Sequence, residues 1–387
     1  MTKVVVLGAG FSRAISDKMP LMSDLREHFE ERLGLDASSF APFGGDVEAW
    51  LAHLGSEQPW LRDAENLRNR AMFYESVDVL YDVIITAQHE ISELLPVWLD
   101  RLAWQWSHEQ VTILTFNYDT LLEESLRRVG WTYSLAAFYA APLTERYAVG
   151  SSRMLSDSAP RRKVPTVLKL HGSVNWWHGG KNAPLTEQVV FHPRPGIATR
   201  SEPLYADLQP LLVPPTSVKN TYYGRSGLAT QWRLAAEALR EAHEIDVIGY
   251  SFPVTDLPTR AFLGSSVSAD ARVRVVDPFP RENAASNALP GRDMVMRRQG
   301  AADFATESAG MRVSAWPTQQ EDGTYALHIE ENGAERVEYI SNVPDPMAVL
   351  RDRLLRAYGP QEYATTGGRG PGPDRISTQE IFVPAEF

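Results

Sequence analysis

Four apolar residues in succession, Val4 to Leu7, run into the turn Gly8-Ala9-Gly10. An unbroken apolar run of this length needs cover on both faces, as a strand inside a parallel sheet has. Beyond Met19-Pro20, Met22, Leu25, Phe29 and Leu33 recur at spacings of three and four, the period of a helix with one buried stripe. Strand, glycine turn and helix thus follow in order. From about 46 to 106 the pattern stays helical and rich in Trp, Leu and Tyr, with Val47, Trp50, Leu51 and Leu54 on one stripe. This stretch reads as a helical insertion or cap on a sheet.

Strand-like runs then return. Val111 to Phe116 precedes Asn117-Tyr118-Asp119 and a helix through Leu121, Leu122 and Leu126, and Val167 to Leu170 ends in His171-Gly172-Ser173. Trp232, Ala235, Leu239 and Ala242 mark a further helix. Ile245 to Ile248 closes on Gly249-Tyr250-Ser251, and Val273 to Val276 on Asp277-Pro278. Ligands of an open parallel sheet lie outside the carboxyl ends of its strands. Five strand ends therefore nominate one crevice. The segments 131 to 165 and 178 to 227, broken by Pro, Gly and polar residues, read as excursions around it. Alternation over Tyr325 to Ile329 predicts a late strand, and Ala348 to Ala357 a short helix. Gly367 to Pro373 reads as a linker before Ile381-Phe382-Val383, which is expected to dock on the body or on a neighbouring subunit.

The fold class predicted is α/β: a Rossmann-like parallel sheet with a helical insertion at about 40–108 and a smaller mixed C-terminal region. The domains expected are a catalytic one over 1–280 and an appendage over 281–387 that contacts an oligomer or partner.

Composition narrows the chemistry. The 387 residues are 43% apolar and 22% charged, as in ordinary folded proteins. There is no cysteine, which removes disulfides, thiol catalysis and cysteine-held zinc or iron–sulfur sites. None of the nine histidines has the helical spacing of a zinc hydrolase, so no metal is expected. A net charge of -11 gives no field for nucleic acid, and Arg161-Arg162-Lys163, the densest basic patch, reads as ordinary loop surface. No run is long enough to span a bilayer, and Met1-Thr2-Lys3 enters a strand without a leader-like segment, so a cytoplasmic protein is expected.

Gly8 and Gly10 permit a tight turn and close approach of backbone N–H groups to a pyrophosphate. Ser12-Arg13-Ala14 stands where a dinucleotide fingerprint carries its next glycine, and no lysine-bearing phosphate loop follows. A simple strand–helix turn fits that stretch equally. The Asn117 amide suits positioning of a ribose hydroxyl or a water. Asp119 can accept from an amide or hydroxyl, or cap the next helix. His171 can take a proton near neutral pH or serve as a structural hydrogen-bonding group. Gly249 admits close backbone approach, and Ser251 either contacts phosphate or ribose or caps its loop. Trp176 and Trp177 read as core.

Taken in order, Gly8-Ala9-Gly10-Phe11-Ser12, Thr115-Phe116-Asn117-Tyr118-Asp119, Lys169-Leu170-His171-Gly172-Ser173 and Gly249-Tyr250-Ser251-Phe252-Pro253 with Asp256 resemble the sirtuin-like family. The closer likeness is to its bacterial branch of NAD-cleaving anti-phage proteins. The resemblance spans roughly residues 1 to 280. It implies that Gly8, Gly10, Phe11 and Ser12 form an NAD-binding loop. It makes Asn117 the residue orienting the ribose or the attacking water, Asp119 the carboxylate on the nicotinamide side, and His171 the catalytic histidine. By the same resemblance Gly249 and Ser251 contact the ADP-ribose part, and Asp277 lies near the adenosine. Leu21-Met22-Ser23-Asp24 replaces the Phe-Arg pair of protein-deacylating members, and the four cysteines of their zinc module are absent. The implied activity is hydrolysis of NAD+ to nicotinamide and ADP-ribose, as the toxic effector of a defence system. Its control is expected to come from homo-oligomer assembly or a separately encoded ATPase or nuclease-like partner. Protein deacylation, ADP-ribosyl transfer and non-catalytic NAD or ADP-ribose sensing are the alternatives the same pocket allows.

Overall fold

The computed structural model describes residues 2–91, 95–129, 134–148, 151–155, 165–180, 188–214, 226–253, 256–308, 311–331, 334–341, 343–358, 364–366 and 378–383. The basic triplet at 161–163 and the linker-like 367–373 lie outside the described residues. In chain order the elements begin β1 (Lys3–Leu7), α1 (Ala9–Ile15), α2 (Met22–Leu33), α3 (Ala37–Phe40), α4 (Val47–Gly55), α5 (Asp63–Ile91), α6 (Val97–Glu109), β2 (Thr112–Thr115) and α7 (Leu121–Arg128). Then come β3 (Leu143–Ala148), β4 (Ser151–Met154), β5 (Thr166–Lys169), β6 (Gly172–His178), β7 (Val189–Phe191) and β8 (Gln209–Leu212). They continue with α8 (Ser226–Glu241), β9 (Glu244–Ile248), α9 (Leu257–Ser266), β10 (Arg272–Val276), α10 (Glu282–Ala288), β11 (Asp293–Arg297) and α11 (Ala301–Ser308). The last are β12 (Met311–Gln319), β13 (Tyr325–Glu331), β14 (Ala334–Ile340), α12 (Pro346–Tyr358), β15 (Ala364–Thr366) and β16 (Thr378–Val383).

The chain forms two compact units, one of residues 1–95 with 109–301 and the other of 96–108 with 302–387. The first reaches past the boundary expected at 280 because β11 adds a sixth strand to its sheet. The helix at 97–109, read from its sequence as part of the insertion, falls almost wholly in the second unit.

The main sheet has the order β11-β10-β9-β1-β2-β5, and every neighbouring pair is parallel. Numbered along the chain within this sheet, the order is 3-2-1-4-5-6, with its switch point between β1 and β9. The apolar run Val4–Leu7 sits at the centre and is almost wholly buried, as its lack of alternation requires. Val4, Leu114, Leu168, Val247 and Val275 join one core cluster with Leu239 of α8 and Leu263 of α9. Register aligns the strand ends: Lys169 lies beside Thr115, Thr115 beside Leu7, Leu7 beside Ile248, and Ile248 beside Val276. The five ends singled out by sequence therefore stand in one row, about 19 Å across at ~4.8 Å per strand.

Helices α4 and α5 occupy the predicted insertion, and α2 packs with them. Phe29 of α2 and Phe40 meet Trp50 of α4, with centroids 5.6 Å and 4.8 Å from Trp50. A second sheet in the same unit, ordered β4-β3-β7-β6-β8, carries Trp176 and Trp177, both fully buried, in agreement with the core reading. The excursions predicted at 131–165 and 178–227 contain most of its strands.

In the second unit, β14-β13-β12-β16-β15 form an antiparallel sheet. Its core joins Val313, Ala315, Leu327 and Ile329 to Leu350 and Leu354 of α12, the late strand and helix predicted from periodicity. Ile381 and Val383 pair with Val313 and Met311, so the C-terminal apolar run docks as a strand. Among the described residues no helix is long and apolar enough to cross a membrane.

Candidate active site

At the switch point the backbone of the β1 turn lies directly against the turn after β9. Gly8 N donates to Ile248 O at 3.1 Å and Gly10 N to Gly249 O at 2.9 Å. A Cβ on Gly8 would come within 2.5 Å of Gly249 O, and one on Gly10 within 2.9 Å of Gly249 Cα. Gly249 itself has φ +63°, and a Cβ there would stand 2.2 Å from Phe11 N. The three glycines thus let two turns touch. This use is more specific than the free approach to pyrophosphate that the sequence suggests, since the Gly10 N–H is already engaged.

From this contact a hydrogen-bond chain runs inward. Asn117, buried at the end of β2, donates from Nδ2 to Gly8 O at 2.9 Å and to Ser12 Oγ at 2.9 Å. Gly8 O can only accept, which fixes the orientation of the amide and leaves Oδ1 as its acceptor. Ser12 Oγ donates in turn to Asp119 Oδ2 at 2.6 Å. Asp119 Oδ1 accepts from Leu121 N at 3.2 Å, so this carboxylate both caps the start of α7 and ends the chain. Thr115 Oγ1 accepts from Asn117 N at 3.0 Å and shapes the turn.

Ser12, Asn117 and Asp119 form the polar wall of a cavity of about 80 Å³. The rest of its lining is apolar, including Met19, Leu21, Leu25, Leu80 and Ile84, with Phe116 and Tyr118 beside the polar wall. Helix α2 supplies Leu25 and α5 supplies Leu80 and Ile84, so the insertion contributes to one side of the site through α5. The loop before α2 is pinned by Arg13, whose Nη1 donates to Met19 O at 2.8 Å and to Asp24 Oδ2 at 2.9 Å. Leu21 N donates to the same Asp24 oxygen at 3.0 Å. Burial acts to raise the Asp24 carboxyl, but the Leu21 amide, the Ser23 hydroxyl and the Arg13 guanidinium together hold it below its ordinary value.

His171 is buried and its ring centroid lies 5.0 Å from that of Phe116, a cavity residue. Tyr118 and Trp232 flank it at 6.4 Å and 6.3 Å. Phe116 in turn stacks on Tyr250, 4.9 Å away at 29°. The structure therefore brings Ser12, Phe116, Asn117 and Asp119 together on one cavity and sets His171 behind its aromatic wall. Phe11 is buried in α1. Gly8, Gly10 and Gly249 lie at the switch point, Ser251 is exposed beyond it, and Asp277 follows β10 with Oδ1 accepting from Phe279 N at 2.7 Å. Asp246, in the middle of β9, is a structural anion: Arg274 grips it with two bonds of 2.6 and 2.8 Å.

One group escaped the sequence reading. Lys169, fully buried, forms an ion pair of 3.1 Å with buried Glu123 and donates to the main-chain oxygen of Asp119. Tyr139 OH donates to Glu123 at 3.0 Å, and Asn175 Nδ2 donates to Tyr139 OH at 3.1 Å. Burial pushes the Glu123 carboxyl up, Lys169 opposes this and Asp119 adds to it. Burial, then the Glu123 charge, raise Tyr139 well above its usual value. The only sequence signal was a lysine inside the apolar run Val167-Leu168-Lys169-Leu170. Among the described residues no cluster of His, Asp or Glu could hold a metal ion.

No curated protein matches the chain. Among solved structures, one of a study of sirtuin substrate affinity shares 14% identity at TM-score 0.39, over 79% of this chain and 92% of that one. A Sir2 complex with an inhibitor, 2'-O-acetyl-ADP-ribose and a deacetylated p53 peptide shares 13% at TM-score 0.37, over 79% and 91%. A Sir2 homologue variant bound to ADP-ribose shares 15% at TM-score 0.38, over 79% and 89%. Residues 111–253, which hold Asn117, Asp119, His171 and Gly249, match a family model described as a SIR2-like domain.

Proposed function

We propose that this protein hydrolyses NAD+ to nicotinamide and ADP-ribose. The observation that carries the reading is the chain Gly8 O, Asn117 Nδ2, Ser12 Oγ, Asp119 Oδ2, set at the carboxyl ends of β1 and β2 on the wall of a largely apolar cavity. The match of residues 111–253 to a SIR2-like domain supports it.

The chemistry asks little of an acid. Breaking the bond between ribose C1′ and the pyridinium nitrogen returns the electron pair to that nitrogen, so nicotinamide leaves neutral while positive charge builds on the sugar. A water then bonds to C1′ and loses a proton. The site must hold the ribose, orient the water and exclude competing solvent. Asn117 Oδ1, with both amide hydrogens fixed elsewhere, is a preset acceptor for a ribose or water O–H. Asp119 presents negative charge near the developing cation, and its chain of partners orients it. The apolar lining suits a flat pyridine ring. The motif resemblance assigns His171, which stands against Phe116 and outside the cavity lining, to take the attacking water's proton, and Gly249, Ser251 and Asp277 to the ADP-ribose half. The protein acts as the toxic effector of a bacterial anti-phage defence system, restrained until assembly or a partner releases it. The support for this wider role is the ordered set of motifs, together with the absence of the cysteines a deacylase zinc module needs.

The test is chromatographic analysis of NAD+ incubated with the full chain, alone and with acylated peptide. Nicotinamide and ADP-ribose in equal amounts without peptide are expected. Turnover only with the peptide would establish a deacylase instead, and binding without products from either sample would point to a missing activating partner or to a sensor.

A further inference from the structure

The six-stranded sheet ends on β11, whose outer side pairs with no described strand. Its inner side pairs with β10 at all five residues in unbroken register. Exposed edges are commonly blunted by proline, a bulge, short length or charged side chains, lysine above all; Asp293-Met294-Val295-Met296-Arg297 has no proline, bulge or lysine, and its two charges are of opposite sign. Side chains alternate along it. Met294 and Met296 pack on the core cluster, whereas Asp293, Val295 and Arg297 are exposed, Val295 by 46%. Among the described residues neither the Asp293 carboxylate nor the Arg297 guanidinium has an ion pair or side-chain hydrogen bond.

Read backwards, the strand keeps its apolar centre and exchanges its terminal charges. We propose that β11 pairs antiparallel with β11 of a second copy of this chain, about a two-fold axis through Val295, to make a continuous twelve-stranded sheet. In that pairing Asp293 stands opposite the partner copy's Arg297 and the reverse, Met294 opposite Met296, and Val295 opposite itself. Such a contact is isologous, so both ion pairs arise from one symmetry. Opposed residues on adjacent antiparallel strands lie about 4.5–5.5 Å apart at Cβ, within reach for both charges and for the valines. Strand β14, an edge of the second unit's sheet, is less suited: its Glu338 is already bound by Arg353 within the chain at 2.8 Å.

Charge-reversal pairing tests this directly. D293R carries two arginines on the strand and R297D two aspartates, so each should repel its own copy, while one of each should pair. Sedimentation velocity on the full chain is expected to show a dimer for the wild type. Each single variant should weaken self-association by about tenfold or more. Dimers should reappear both on mixing the two variants and in the D293R/R297D double variant. Circular dichroism confirms that each remains folded, and V295K provides a further variant that leaves the terminal charges in place. A monomeric wild type, or single variants that assemble like the wild type, would overturn the proposal. So would failure of both the mixture and the double variant to regain dimers.

Discussion

Replacing Lys169 with methionine should cost more stability than any exposed substitution in this protein, and the cost should grow with pH. The ammonium is fully buried, 3.1 Å from a Glu123 carboxylate that is equally buried. Removing one partner of a buried ion pair leaves an uncompensated charge and typically costs about 3–5 kcal/mol. Set against a whole-protein stability of about 5–15 kcal/mol, that is a large share. Glu123 is already pushed up by burial, and Lys169 is the main group opposing that shift. Without it the folded state holds the Glu123 proton to higher pH, while the unfolded chain releases it near the ordinary carboxylate value. A raised folded pKa means stability is fully present below the unfolded value and is lost as pH rises toward the folded one. The slope approaches about 1.4 kcal/mol per pH unit for one proton. Wild type and variant both lose stability as pH rises above the ordinary carboxylate value, and the penalty itself grows only where wild-type Glu123 ionises and the variant's does not. Urea unfolding of Lys169→Met from about pH 5 to about pH 9 should therefore show a larger penalty at the alkaline end, and the added change Glu123→Gln should remove most of that growth. A penalty below about 1 kcal/mol, or one independent of pH, would refute the view that this pair is a buried charge couple.

Gly249→Ala should destabilise by about 1–3 kcal/mol or more through strain at positive φ, with the new Cβ pressed on Phe11 N; thermal unfolding checks it, and an unchanged midpoint would contradict the contact. Asp24→Asn should cost about 1 kcal/mol, since it weakens both the Arg13 pair and the acceptor for Leu21 N. Because the Asp24 carboxyl is held low, its contribution is present at neutral pH and lost as pH falls through the folded value, so the variant should show a shallower acid limb in pH-dependent unfolding. Leu21→Trp, which places bulk at the half-buried lip of the cavity, should raise the KM for NAD+ by about tenfold while the melting temperature moves little.

Local pattern carried much of this architecture. Val4 to Leu7 announces a central strand because only a doubly covered strand tolerates four apolar residues in a row, and Met22, Leu25 and Phe29 announce α2 by their spacing. Strand β6 did not show itself: all seven of its residues are buried, so no alternation marks it, and it begins directly after the His171 turn. Strand β11 is short and half-exposed, with a pattern too weak to predict. The candidate residues were readable as strand-end groups, because polar side chains after buried apolar runs need partners. Their partners were not. Asn117 bonds Gly8 and Ser12 across more than a hundred residues, and Glu123 meets Lys169 only because β2 and β5 are neighbours. Register, which no local pattern encodes, is what turns separate motifs into a site.

The most direct test of the central claim is the initial rate of nicotinamide release by Asn117→Ala beside the wild type, with NAD+ affinity of both measured by calorimetry. The account predicts affinity within a few-fold and a rate lower by about 10²–10³, as for the loss of one preorganised polar group. A variant that binds NAD+ and releases nicotinamide as fast as the wild type would contradict it.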